Sequence, residues 1–255
     1  MAATAISPLA EAVRESGLAP PGSRGVALVS GGADSAATLA GLVEELGPEA
    51  VVALHLNYSL RPDSSEDEGA GRALCELLGV ELRVEAPRLG EGNVQAEARG
   101  ARYTAAERLR GELGLDWIAT GHTRTDLAET ILYRLATSPG RRALLGLDAR
   151  RGAVIRPLLR LERERVRELA TAAGLPFRDD PTNLEPLYAR NRIRNEVLPV
   201  LRELSSSAEE VIAETRAELA EEAEALERLA SRALAEAGAD RAGAIAAESL
   251  AELEP

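Results

Sequence analysis

Short apolar runs alternate with helical patterns along the first 160 residues or so of the chain. Residues 25–30 (GVALVS) and 50–57 (AVVALHLN) are nearly continuous apolar runs, as expected of strands buried on both faces. Residues 80–86 (VELRVEA) alternate, residues 116–120 (DWIAT) form a short fourth run, and residues 153–156 a weaker fifth. Between them, apolar positions at helical spacing predict helices over 35–46, 65–78, 94–113 and 125–136. Strands separated by helices of this length imply parallel βαβ units, so the predicted fold is α/β with a doubly wound parallel sheet. Ligands of such sheets sit beyond the carboxyl ends of the strands. The residues just after each strand are therefore where chemistry is to be sought.

After Gly152 the pattern changes. Residues 161–173 read as a helix stopped by Gly174 and Pro176, and 177–187 are rich in turn residues. Residues 188–204 read as helical with a break at Pro199. Ser205 to Ser207 then cap a long acidic helix over about 208–236, with apolar residues at Val211, Leu219, Ala223, Leu226 and Leu229 and with Thr215 on the same stripe. Its charge is expected to be a solvated face. The expected organisation is a catalytic domain over 1–204 and, over 205–255, an acidic helical connector. The last residues, 247–255 (AESLAELEP), read as the opening of a further domain cut short.

Composition narrows the chemistry. The chain has 255 residues, of which 45% are hydrophobic and only six aromatic, so its core must be built from Leu, Ala and Val. All 30 basic residues are Arg. Without Lys there is no Schiff-base enzyme and no Walker A lysine. One cysteine, Cys75, and two histidines exclude a disulfide framework and a cysteine-pair metal or persulfide site within one chain. No apolar run is long enough to span a membrane, and charged residues interrupt the first twenty, so a cytoplasmic protein is expected. The net charge of −12 is uneven: residues 203–255 carry −10, whereas 150–202 carry +5. That basic stretch keeps a nucleic-acid partner open in an otherwise acidic chain.

The strongest motif is Ser30-Gly31-Gly32-Ala33-Asp34-Ser35, directly after the first strand and opening a helix. Small residues let backbone N–H groups and the helix N-terminus close around an anion, with Ser hydroxyls as further donors. This is a phosphate cradle without a lysine. Asp34 would repel a phosphate unless Mg2+ bridged the two. Asp126 and Glu129, three residues apart on a helix following the fourth strand, share one face. That pair suits a cationic substrate, Mg2+, or both. Arg102 and Arg194 are candidates for a phosphate clamp or for structural salt bridges. Gly121 and His122 follow the fourth strand at the ligand edge, where His122 could contact nucleotide or make a structural hydrogen bond. His55 ends the second strand and reads as structural or adenine-adjacent.

The SGGADS loop resembles the SGGxDS loop of the N-type ATP pyrophosphatases, the PP-loop superfamily with an adenine nucleotide alpha-hydrolase-like fold. Further segments follow in order: HLNYSLR from His55, EARGARY from Glu97, TGHTRTDLAET from Thr120, IRPLL from Ile155, DPTN from Asp180 and YARNRIR from Tyr188. The ordered set over about residues 24–204 resembles the tRNA(Ile)-lysidine synthetase family. It departs from the family pattern at Tyr58, where His is common, at Arg124-Thr125-Asp126, where an Asp pair is frequent, and at Thr137 to Arg141, where a Gly-rich stretch is usual.

The resemblance implies an ATP-dependent ligase. The wobble cytidine of the CAU anticodon of tRNA(Ile) is adenylylated through its C2 oxygen with release of pyrophosphate. Free L-lysine then attacks C2 and AMP leaves. It implies ATP and Mg2+ at the loop (Ser30, Gly31, Gly32, Ala33, Asp34, Ser35), with His55, Gly121 and His122 also at the nucleotide. It further implies catalytic roles for Asp34, Arg102, Asp126 and Arg194, lysine at Asp126 and Glu129, and tRNA phosphates at Arg190, Arg192 and Arg194, with Arg141 and Arg142 as further candidates. A homodimer is expected because the family is often dimeric. The alternatives are another PP-loop ATP pyrophosphatase, or an ATP-binding module without turnover.

Overall fold

The computed structural model describes residues 2–58, 64–87, 94–178 and 189–236. Along the chain run α1 (Ala2–Ser16), β1 (Gly25–Leu28), α2 (Ala33–Leu46), β2 (Val51–Leu56), α3 (Ser64–Leu78), β3 (Glu81–Glu85), α4 (Val94–Glu112), β4 (Trp117–Ala119), α5 (Arg124–Thr137) and α6 (Arg141–Leu144). They continue with β5 (Arg150–Arg151), β6 (Val154–Ile155), α7 (Arg163–Ala172), α8 (Ala189–Arg192), α9 (Leu198–Leu204) and α10 (Ala208–Glu236). The strands form one sheet in the order β3-β2-β1-β4-β6-β5. Pairing is parallel from β3 to β6, and β5 joins the edge antiparallel.

Side-chain alternation along the strands splits the core into two layers. Ala27, Val29, Val51 and Ala53 face one layer with Leu9 and Val13 of α1, Leu39 and Leu42 of α2, and Val166 and Leu169 of α7. Val26, Leu28, Val52, Leu54 and Leu56 face the other, against Ala105, Ala106 and Leu109 of α4. Both faces of β1 and β2 are covered, which is why they read as unbroken apolar runs. The edge strand β3 instead turns Glu81 and Arg83 outward as an ion pair, and charge of this kind blunts an open edge.

Three features differ from the sequence expectation. Helix α1 was not anticipated from the pattern; it covers the first layer through Leu9 and Val13, both fully buried. The sheet is not wholly parallel, because a hairpin at Gly152 adds β5. The irregularity in the segment ending at Leu204 begins ahead of Pro199, which lies within one continuous helical run and has no N–H to bond the preceding turn. It is a π-type turn just before, over Ile193–Val197. Residues 237–255, with the expected start of a further domain, lie outside the described residues.

Helix α10 has the expected bounds, but its apolar stripe stands largely open, with Leu219 and Ala223 half-buried. Val211, Leu226 and Leu229 are each more than half exposed. What docks the helix is its neighbouring face, with Ile212 and Ala213 against Leu127, Ile131 and Leu159, and with its first-turn Glu209 buried.

Candidate active site

In the order β2-β1-β4 the chain crosses from one side of the sheet to the other between β1 and β4, the switch point at which doubly wound sheets open a crevice. The cradle loop leaves β1 there, and Thr120, Gly121 and His122 leave β4. A cleft of about 460 Å³ lies between them, lined among others by Ser30, Asp34, His55, Arg102, His122 and Asp126.

The loop is held from several sides. Ser35 Oγ accepts hydrogen bonds from Ser30 N at 3.1 Å and donates to the Gly32 carbonyl at 2.8 Å. Arg178 N donates to the Gly31 carbonyl at 2.8 Å. Gly31 has φ +91°, and a Cβ on it would stand 2.7 Å from the Asp67 carbonyl, so only glycine fits where α3 crosses the loop. Helix α2 begins after Gly32 with no side-chain cap on its N-terminus. Its first N–H groups thus offer an anion site at the positive end of the helix. Gly121 approaches the same turn: a Cβ there would lie 2.7 Å from the Asp34 carbonyl.

Beside the loop three carboxylates and two guanidiniums meet. Asp126 in the first turn of α5 accepts hydrogen bonds from Thr123 N and Thr123 Oγ1 on Oδ2, both at 2.8 Å, which fixes its rotamer as part of the helix cap. Its Oδ1 faces Arg163 Nη2 at 2.8 Å, and the same Nη2 is 3.1 Å from Asp34 Oδ2. Glu129, one turn on, is 2% exposed and lies under Arg194, whose Nε and Nη2 bond its two oxygens at 2.5 and 3.0 Å. Arg194 sits in the π-type turn, a local widening that recurs at functional positions. Its Nη2 is also 3.6 Å from Asp126.

Burial and charge shift these groups. Burial, aided by the negative Asp126, raises the Asp34 carboxyl to about 6 in spite of Arg163. Burial also pushes Glu129 upward, against Arg194. For Asp126 burial is outweighed by Arg163, His122 and the Thr123 hydrogen bonds, and its carboxyl is held below the ordinary range. Burial lowers His122 to about 4, so it is neutral at pH 7; its Nδ1 is 2.7 Å from Thr120 Oγ1. His55 is buried, and its Nδ1 donates to the Val29 carbonyl at 2.8 Å.

The expected residues divide accordingly. Asp34, Asp126, Arg102, His55, Gly121 and His122 share the cleft with the loop. Arg102, on α4, has no ion pair or hydrogen bond among the described residues. Glu129 and Arg194 join the ionic cluster behind Asp126 and do not line the cleft. Arg190 and Arg192 are exposed on α8, with Arg192 paired to Glu196. Arg141 pairs with Glu222 of α10. Residues 180–183 and Tyr188, and the side chain of Arg142, lie outside the described residues. The residue that sequence reasoning missed is Arg163, the first of α7. Arg167 and Arg178 also line the cleft and were not anticipated.

Mg2+ favours one or two carboxylates completed by substrate phosphate oxygens and water. Asp34 offers such an oxygen beside the loop. Among the described residues no cluster of three or more His, Cys, Asp or Glu is arranged to hold an ion unaided. The residues fit Mg2+ as a companion of bound phosphates, held through Asp34.

A lysine-free glycine loop at the switch point of a parallel sheet defines a PP-loop protein, and residues 7–201 match the family model of the PP-loop domain. Among curated relatives, tRNA(Ile)-lysidine synthase of Thermus thermophilus is 42% identical over 215 residues, which is 82% of this chain and 42% of the relative. Those of Thermobifida fusca and Gloeobacter violaceus are 36% and 38% identical over 86% and 84% of this chain, and it covers 69% and 68% of them. The chain belongs to the tRNA(Ile)-lysidine synthase family. It spans about half the length of several of the relatives it matches. The solved U34-tRNA thiolase NcsA from Methanococcus maripaludis superposes with a TM-score of 0.73 over 87% of this chain and 80% of its own; at 19% identity the likeness is one of fold. No helix among the described residues is long and apolar enough to cross a membrane.

Proposed function

We propose that this chain makes lysidine at the wobble cytidine of the CAU anticodon of tRNA(Ile), using ATP and free L-lysine, in the cytoplasm. In the first step the cytidine C2 oxygen bonds to the α-phosphorus of ATP and the bond to pyrophosphate breaks. In the second the lysine amine bonds to C2, AMP leaves with the C2 oxygen, and the amine loses a proton. The observation that carries this reading is the single guanidinium of Arg163 shared between Asp34 of the phosphate loop and Asp126 of the acidic pair. It brings an anion cradle and a cation-binding carboxylate within one ionic cluster, as a reaction between a nucleotide and a cationic amino acid requires.

In this reading the loop N–H groups and the α2 N-terminus hold the phosphates, and Arg102 stabilises charge on the phosphate under attack. Mg2+ held through Asp34 would screen phosphate charge when bound. Three carboxylates against two guanidiniums leave an excess of one negative charge, which a lysine ammonium would neutralise, with Asp126 at the cleft and Glu129 behind it. Arg190 and Arg192, exposed, and Arg194, at the end of that stretch, supply a basic surface for anticodon-loop phosphates, where an unpaired base can leave its stack. Residues 1–204 would act as the catalytic domain and 205–255 as the connector to a further domain, in a homodimer.

The test is incorporation of radiolabelled lysine into a tRNA(Ile) transcript carrying CAU, with ATP and Mg2+, against a control lacking ATP. ATP-dependent label in the tRNA is the expected result. Pyrophosphate release without dependence on lysine would favour another PP-loop ATP pyrophosphatase. ATP bound without pyrophosphate release would favour a binding module.

A further inference from the structure

Arg163 stands at the N-terminus of α7, and its backbone N–H donates to Thr125 Oγ1 of α5 at 3.2 Å. That contact ties the start of one helix to the start of the other and fixes where the guanidinium emerges. Glu129 is already satisfied by the two-pronged bond from Arg194. Within a cleft lining that also carries Asp67, Arg102, Arg167 and Arg178, the two carboxylates Asp34 and Asp126 share one cation, Arg163. The Arg163 Nε is buried without a hydrogen-bond partner among the described residues, so the guanidinium retains donor capacity beyond the two carboxylates.

This arrangement has an electrostatic consequence. With Arg163 present the trio carries one excess negative charge; without it the trio carries two. The same change acts in opposite senses on the two small substrates. ATP phosphates at the loop beside Asp34 would meet more repulsion, and a cationic amino acid at Asp126 would meet more attraction. We propose that Arg163 is a specificity-determining residue that balances anion against cation in this cleft: it permits phosphates beside Asp34 and restrains the hold of the Asp34–Asp126 pair on lysine. The inference rests on the reading of the site as one that uses ATP and lysine together.

The experiment compares wild type, Arg163→Gln and Arg163→Lys at saturating Mg2+, with KM for ATP and for lysine measured separately in the lysine-incorporation assay. Arg163→Gln is expected to raise KM for ATP by about tenfold and to lower KM for lysine by about threefold or more, the effect of one partly buried charge at close range. Opposed shifts are not what a loosened fold produces. Arg163→Lys keeps the charge but not the planar fork, so both KM values should stay within about twofold of wild type while kcat falls. If Arg163→Gln raises both KM values, or moves neither, the inference is overturned while lysine incorporation by wild type still stands. If the Gln variant does not fold, the Lys variant decides, and a shift of about tenfold in either KM overturns the proposal. A wild-type chain that incorporates no lysine overturns the functional reading and this inference with it.

Discussion

Arg194 and Glu129 lie 65 positions apart in the chain and meet in two parallel hydrogen bonds, with Nη2 3.0 Å from Oε2. The fork geometry uses both carboxylate oxygens, and Glu129 is almost wholly buried beneath it. Glu129 therefore acts on the cleft through its charge, from behind Asp126, rather than by lining it. Glu129→Gln breaks the charged fork and leaves Asp126, 3.6 Å away, as a carboxylate partner of Arg194, which costs about 2 kcal/mol of stability. It also removes one of the three negative charges. ATP affinity should remain within about twofold, while KM for lysine rises by about tenfold. Thermal unfolding, ATP binding by fluorescence and lysine-dependent turnover check the three parts; an unchanged KM for lysine would remove Glu129 from substrate recognition.

Gly121 presses the β4 loop against the turn that opens α2. A methyl group there would lie 2.7 Å from the Asp34 carbonyl and 2.9 Å from Ser35 N, so the loop or the helix start must shift. Gly121→Ala should weaken ATP binding by about tenfold through displacement of the cradle, since an error of about 1 Å at a site can cost more than that. Gly31→Ala should act more severely. It adds a positive-φ strain of about 1–3 kcal/mol to a clash with the Asp67 backbone. Equilibrium ATP binding, alongside circular dichroism to verify the fold, separates a damaged cradle from an unfolded chain.

His122 is lowered to about 4 by burial, against an ordinary value near 6.5. Between those values the unfolded chain binds a proton that the folded chain does not, so stability rises with pH across that window. The contribution is complete above about 6.5 and is lost as pH falls through about 4. His122→Asn should flatten this part of the stability curve. With only two histidines in the chain, imidazole resonances are assignable from a His55→Gln variant, and the remaining signal should show a neutral ring at pH 6. A His122 that titrates at its ordinary value would contradict the buried geometry.

Much of this site was legible in the sequence because its signals are local. SGGADS, the TGH segment and the Asp126–Glu129 spacing each sit just after a strand or on one helix face, and the fold needs only its strand order to bring them together. Arg163 was not legible. It is one arginine in a chain whose every basic residue is arginine, and its role arises only when α7 starts beside α5 across the sheet. The pair at β5 escaped notice because two exposed arginines carry no strand pattern. Helix α1 escaped because it packs through few large side chains, Leu9 and Val13 among them. The stripe on α10 misled for the opposite reason: a regular apolar pattern marks a face but not what covers it, and here the buried first-turn residue is a glutamate.

That glutamate connects α10 to the helix that carries Asp126 and Glu129. Glu209 is 2% exposed; its Oε2 accepts the Thr125 hydroxyl at 2.6 Å and its Oε1 accepts Arg202 Nε at 2.8 Å. Thr125 Oγ1 in turn accepts the Arg163 N–H, so a chain of two hydrogen bonds runs from the acidic helix to the residue that bridges Asp34 and Asp126. Glu209→Ala leaves Arg202 with Glu164, 3.2 Å away, as its carboxylate partner and removes the acceptor of the Thr125 hydroxyl, and should cost about 2 kcal/mol in thermal or denaturant unfolding. Loosening the first turns of α5 and α7 should also lower kcat by about tenfold, as positioning of the reacting groups degrades. KM for ATP should change little, because the loop is held independently by Ser35, Asp67 and Arg178. A double-mutant cycle with Arg202→Ala separates the ion pair from the Thr125 link. Stability that falls with kcat unaltered would show that α10 braces the fold without reaching the site. Loss of both, with the kcat defect shared by Thr125→Val, would place the start of α10 in the control of the active site.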